Sequence, residues 1–252
     1  MHDRPCCTQP ALENPRRRSL LLGGAGLAAL GLTAGAGWLG APGEAEAAAL
    51  SRAERDALSP AQVIERLKQG NERFRSGRMR QHDYLAQKRA SSGGQYPAAV
   101  ILSCIDSRAP AEILFDMGIA DSFSARVAGN VVNDDLLGSL EFACAASGAK
   151  VVLVMGHTAC GAIKGAIDGA QLGHLTGLLK KIEPALAATE YPGERSARNP
   201  AYVDAVARTH VRLTLERIRR DSPVLAKLEA EGRIRLAGSL YHLQGGEVEF
   251  FA

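Results

Sequence analysis

Two dominantly apolar runs, AAVILS at 98–103 and KVVLVM at 150–155, each lead almost directly into a residue that can bind a metal. A strand buried on both faces reads as such a continuous run, whereas a half-exposed strand alternates. A weaker strand pattern lies at 122–126 and a fourth strand at 234–240, and helical patterns at 133–147, 175–188 and 200–220 separate the four. Alternating strands and helices specify an α/β domain with a mainly parallel central β-sheet flanked by helices. Ser59, Pro60 and Gln62 form a helix start, with a capping serine, a first-turn proline and a glutamine three residues after the cap. That helix is expected to run to about Phe74, and a second over 82–90, making an N-terminal helical arm. After Gly245 and Gly246, residues 247–251 read as a C-terminal edge strand in a hairpin.

This placement carries chemistry. Cys104 follows the first strand and His157 follows the third, and ligands in open α/β sheets collect beyond the carboxyl ends of the strands. Cys160 lies within a turn of His157, where a helix begins. Two cysteines and a histidine make three good zinc ligands. A structural zinc site usually closes with four protein ligands, while a catalytic one keeps three and leaves a position for water. Asp106 and Arg108 sit beside the first cysteine, where they can orient that water. The expected chemistry is metal-assisted hydration or hydrolysis, with one Zn²⁺ per subunit.

The first 49 residues read as an export signal rather than as part of the fold. Arg16, Arg17, Arg18 and Ser19 precede a Gly/Ala-rich apolar run over 20–39, and AEAAA at 45–49 offers small-residue cleavage sites. The arginines directly before Ser19, Leu20 and Leu21 resemble a twin-arginine (Tat) signal, which would make the Tat export machinery a partner of the precursor. The expected location is periplasmic or extracellular, with an uncleaved membrane anchor as the alternative. Residues 50–252 are then one domain of ordinary size. The net charge of +3 is too small to imply nucleic acid or an anionic membrane surface. Cys104, Cys144 and Cys160 are an odd set for an exported chain, which argues against a disulfide framework. Cys144 fits a small buried hydrophobe.

Three blocks stand in order: Cys104-x-Asp106-Ser107-Arg108, Ala125-Arg126-x-Ala128-Gly129-Asn130, and Gly156-His157-Thr158-x-Cys160-Gly161-Ala162. With them the chain resembles a β-class carbonic anhydrase over roughly Ser59 to Phe251. The resemblance implies zinc on Cys104, His157 and Cys160, and reversible hydration of CO₂ to bicarbonate and a proton by zinc-bound hydroxide. It also implies a homodimer or homotetramer. Asp106 and Arg108 carry over as the catalytic pair. Gln95, Phe123, Phe142 and Gly161 match substrate-pocket positions, the glutamine being one that the family supplies from a neighbouring subunit. Some members bind bicarbonate at a second, non-catalytic pocket of tryptophan, valine and arginine. Here those positions are Ile101, Ala109 and Arg126, a departure that counts against such regulation. Gly129 and Asn130 read as a tight turn shaping the site.

With two thiolates and one histidine on a dication, the formal charge of the site is zero. Bound water is then less acidified than at a three-histidine site, so activity is expected to favour mildly alkaline pH. Arg108 can hold Asp106 ionised by a bidentate contact. A released Asp106 could instead become a fourth ligand and close the site, and the sequence leaves both arrangements open. Two other functions fit the residues. One is a zinc hydrolase of a CO₂-like molecule such as carbon disulfide or carbonyl sulfide, although no insertion near the site suggests it. The other is a non-catalytic zinc-binding module, which would need a fourth ligand or the loss of Asp106 or Arg108. His82, His174, His210 and His242 read as surface or core residues. No Gly-rich phosphate fingerprint follows the first strand.

Overall fold

The computed structural model describes residues 49–251. The expected export signal, with Cys6 and Cys7, therefore lies outside the described residues but for Ala49. Among the described residues, no helix is long and apolar enough to cross a membrane.

Five strands form one sheet: β1 (Ala99–Ser103), β2 (Ser122–Arg126), β3 (Val151–His157), β4 (Arg235–Tyr241) and β5 (Val248–Phe251), in the order β2-β1-β3-β4-β5. β1 to β4 are parallel and β5 returns antiparallel at the edge beside β4. Register places the chemistry. Ser103 pairs with both Arg126 and Met155, and His157 pairs with Tyr241. Cys104 and His157 therefore leave the sheet at the same end of adjacent strands.

Alternation along β1 and β3 sends side chains to two cores. Val100, Leu102, Val152 and Val154 pack against α5 (Asp134–Glu141), α9 (Pro200–Asp221) and α10 (Pro223–Ala230). Ile101, Val151, Leu153 and Met155 face α2 (Pro60–Arg75) and α4 (Ala111–Leu114). A third apolar cluster closes the carboxyl end of the sheet. It contains Cys104 and Cys160 themselves, among residues of α6 (Gly161–Ile167), α7 (Gly173–Leu179), α8 (Glu183–Ala188) and α9.

The helical arm is tied to its own sheet. Ser59 and Gln62 complete the expected capping box of α2. On the same helix, buried Asn71 donates to the Leu114 and Gly246 carbonyls at 3.1 and 2.9 Å and accepts from the Val248 N–H at 2.9 Å. Fully buried Asp116 takes Arg73 Nε at 2.5 Å and His82 Nε2 at 3.1 Å. His82 is thus a structural link, and α3 (Tyr84–Ser91) starts after it with Asp83 as cap.

Two helices differ from expectation. The stretch 175–188 breaks between α7 and α8, because Pro184 lacks an N–H and its ring would clash with the Lys180 carbonyl of a continued helix. The stretch 133–147 ends in a π-helical turn, Phe142–Ala146, leading to left-handed Gly148. Three helices carry signals too short or too local for periodicity: α1 (Arg52–Ala57), boxed by Ser51 and Glu54; α4; and α10, capped by Ser222.

Candidate metal centre

The local backbone and its hydrogen-bond partners set the position of each candidate ligand. Arg126, the last residue of β2, donates to the Cys104 carbonyl at 2.9 Å and the Asp106 carbonyl at 2.6 Å, clamping the loop that leaves β1. Cys104 Sγ accepts the Gly129 N–H at 3.2 Å. Gly129 has a φ of +66°, and a Cβ there would stand 2.8 Å from Ile182 Cδ1, so glycine is favoured on two counts. His157 ends β3. Its Nδ1 lies 3.0 Å from the Thr158 carbonyl, which can only accept, so Nδ1 carries the proton. Thr158 is held in turn, its N–H donating to the Tyr241 carbonyl and its hydroxyl oxygen accepting the Leu243 N–H. Cys160 is the N-cap residue of α6 and follows Ala159, which has a left-handed φ of +53°.

One ligand atom from each of Cys104, His157 and Cys160 lies within 4.8 Å of the others, and all three residues are buried. Zinc bound at about 2.3 Å to sulfur and 2.0–2.1 Å to nitrogen would space tetrahedral donors by roughly 3.5–3.8 Å. The set therefore fits with small adjustments. The stronger sign is His157 Nε2, which is buried with no hydrogen-bond partner among the described residues. A buried imidazole nitrogen without a partner is costly, and a cation satisfies it. The two sulfurs are strongly linked. A hydrogen bond from Cys160 holds the Cys104 thiol well below its ordinary range, helped by His157 and the Gly129 N–H against the opposing effect of burial. The same bond, with burial, pushes Cys160 up. A bound dication would favour the thiolate at both. Cys144, away from this cluster, is buried and its thiol is pushed up to about 12 by desolvation, as suits an inert core residue.

Asp106 sits beside the cluster. Arg108 grips it three times: Nε to Oδ1 at 3.0 Å, Nη2 to Oδ2 at 2.8 Å, and the backbone N–H to Oδ1 at 2.9 Å. The guanidinium contact holds the carboxyl well below the usual carboxylate range. Oδ2 is 3.8 Å from His157 Nε2. Of the two arrangements left open by the sequence, this is the one in which Arg108 engages the carboxylate.

The pocket positions are distributed differently. Gly161 opens α6 beside Cys160, and a Cβ there would meet open space. Phe123 and Phe142 form an edge-to-face pair with centroids 6.1 Å apart, and Phe142 is largely exposed. Phe123 is level with Val100, four residues short of Cys104, so the pair stands on the β2 edge rather than among the ligands of its own chain. Gln95 precedes β1, at the opposite end of that strand from Cys104. Ile101 and Ala109 are buried in the core beneath α2, and Arg126 is committed to the loop carbonyls. His242 pairs with Glu249 at the β5 edge.

His210 is buried on α9, its Nε2 2.9 Å from the Gly129 carbonyl. Desolvation lowers its pKa to about 4. A histidine depressed in the fold contributes stability that is fully present above its unfolded pKa near 6.5 and is lost as pH falls through the folded value. Lys181, Glu216, Arg217 and Arg220 line the same cleft. The loss from His210 should reach on the order of 3 kcal/mol by pH 4. Urea unfolding of the wild type and of His210→Gln between pH 7 and pH 4.5 should show a shallower decline in the variant; parallel declines would contradict this.

A family model described as carbonic anhydrase matches residues 99–248. A carbonic anhydrase of Mycolicibacterium smegmatis is 33% identical over 193 residues, 76% of this chain and 93% of that protein. Carbonic anhydrase 2 of Mycobacterium tuberculosis is 34% identical over 190 residues, covering 75% and 91%. Among solved structures, the β-carbonic anhydrase CcaA superposes with a TM-score of 0.61 at 22% identity, covering 75% of this chain and 95% of that one. One of two tetrameric β-carbonic anhydrases of Sordaria macrospora gives 0.57 at 24% identity, covering 64% and 83%. The chain belongs to the carbonic anhydrase family, in its β class.

Proposed function

We propose that this chain catalyses the reversible hydration of CO₂ to bicarbonate and a proton, using one zinc ion held by Cys104, His157 and Cys160. The observation that carries the reading is the buried His157 Nε2, which has no hydrogen-bond partner among the described residues and lies close to two buried thiols and to a carboxylate locked by Arg108. Zinc, when bound, supplies a nucleophile near neutral pH by acidifying water. Asp106, ionised, accepts a hydrogen bond from the attacking oxygen and so fixes its orientation. Arg108 keeps Asp106 ionised and in place. The third apolar cluster around the cysteines limits competing water and suits a substrate without a dipole. The test is CO₂ hydration by purified protein of known zinc content. Activity that tracks zinc supports the reading, and zinc-loaded protein without activity defeats it.

The working unit in this proposal is a homodimer or homotetramer. Gln95 stands at the wrong end of β1 to serve the site of its own chain, so a glutamine there would act on a partner's site. The exposed Phe142 beside Phe123 on the β2 edge supports the same view, as do Ile105 and Ile113, both more than half exposed. Export by the Tat route is the proposed path. Folding and metal loading before export would protect the thiols from an oxidising compartment. Changing Arg17 and Arg18 together to lysine should trap the precursor in the cytoplasm, as read by cell fractionation. Unchanged export of that variant would count against the route.

A further inference from the structure

Helix α9 reaches the metal centre from behind at two points. Asp204 Oδ1 accepts the Ala159 N–H at 2.9 Å. His210 Nε2, 2.9 Å from the Gly129 carbonyl, donates to it, since a carbonyl oxygen can only accept. Both targets are backbone turns in the left-handed region: Ala159 at φ +53°, and Gly129 at +66° followed by Asn130 at +43°. Glycine adopts this conformation freely; alanine does not, and needs surrounding contacts to hold it there. Ala159 lies between His157 and Cys160, so its conformation sets the angle at which Cys160 turns back toward His157. Gly129 donates its own N–H to Cys104 Sγ, so the peptide gripped by His210 belongs to the same turn that holds the first sulfur.

We propose that α9 is the outer clamp of the metal centre, with Asp204 and His210 as positioning residues for Cys160 and Cys104 respectively. The two lie six residues apart on one rigid helix, so they fix the two sulfur-bearing turns relative to each other as well as singly. The inference rests on the reading of Cys104, His157 and Cys160 as zinc ligands. Neither residue touches substrate or metal. Each acts through a turn, in the way that a hydrogen-bond partner behind a ligand orients that ligand toward its metal.

The experiment measures zinc release from the holoenzyme to an excess of chromogenic chelator, together with the visible spectrum of the cobalt-substituted protein. Asp204→Ala and His210→Leu should release zinc about 10- to 100-fold faster than wild type and shift the cobalt bands. Asp204→Asn keeps an acceptor oxygen and should stay within about threefold of wild type, by the same logic. Ala159→Gly placed in the Asp204→Ala chain should recover much of the loss, because glycine holds the left-handed turn unaided. General destabilisation would not be repaired by adding a glycine. If Asp204→Ala does not fold, the comparison of Asp204→Asn with the double variant decides. Wild-type release and an unchanged cobalt spectrum in Asp204→Ala and His210→Leu would overturn the clamp. So would an Asp204→Asn as leaky as Asp204→Ala with no recovery from glycine. A wild-type chain that takes up neither zinc nor cobalt would instead overturn the metal reading beneath it.

Discussion

Cys160→Ala should fold and yet hold almost no zinc, falling from about one ion per chain to below about a tenth, because two protein donors rarely retain zinc where three are needed. Its CO₂ hydration should fall to the buffer rate. The site explains why the loss is so complete. Cys160 is nearly inaccessible in the third apolar cluster, so solvent offers no easy replacement ligand. The alanine would itself suit that apolar setting, so the fold should survive. His157→Ala should behave likewise. Elemental analysis of purified protein, with near-ultraviolet circular dichroism as a folding control, measures both. Full zinc in Cys160→Ala would refute the ligand assignment.

Arg108→Ala should do something different: keep its zinc and lose about 10²- to 10⁴-fold in kcat, the range for disabling a positioned proton-handling group. The three contacts from Arg108 are what hold Asp106. Without the guanidinium, the carboxylate keeps only the backbone N–H, and it already stands 3.8 Å from His157 Nε2. A freed carboxylate so close to the donor set competes for the metal's open position. Arg108→Lys should recover only part of the rate, since an ammonium cannot reproduce the bidentate fork. Stopped-flow rates beside zinc content separate this from ligand loss. A fully active Arg108→Ala enzyme would show that Asp106 does not depend on Arg108.

Much of this was legible in the sequence because the signals are local. An apolar run ending in a ligand fixes a strand, its direction and the end of the sheet where chemistry gathers. The strand at 122–126 and the capping box of α2 fall where read. The break at Pro184 was also written in the sequence, but the continuous apolar pattern on either side obscured it. The supporting contacts were not legible. Asp204 meets Ala159 across 45 residues and His210 meets Gly129 across 81, distances at which a lone helical aspartate or histidine carries no mark. Nothing in an alanine announces a left-handed turn. Arg126 was visible as part of a block, but its work as a tether on two loop carbonyls depends on the register of β1 against β2. Gln95, Phe123 and Phe142 stand away from the ligands of their own chain, a placement that depends on strand direction and register rather than on any local signal.

The most direct test is stopped-flow CO₂ hydration by the purified protein, with zinc quantified in the same sample. Hydration should rise in proportion to zinc up to about one ion per chain, vanish on chelation and return when zinc is restored. A fully zinc-loaded chain that hydrates CO₂ no faster than buffer, or a metal-stripped chain that retains full activity, would contradict the account.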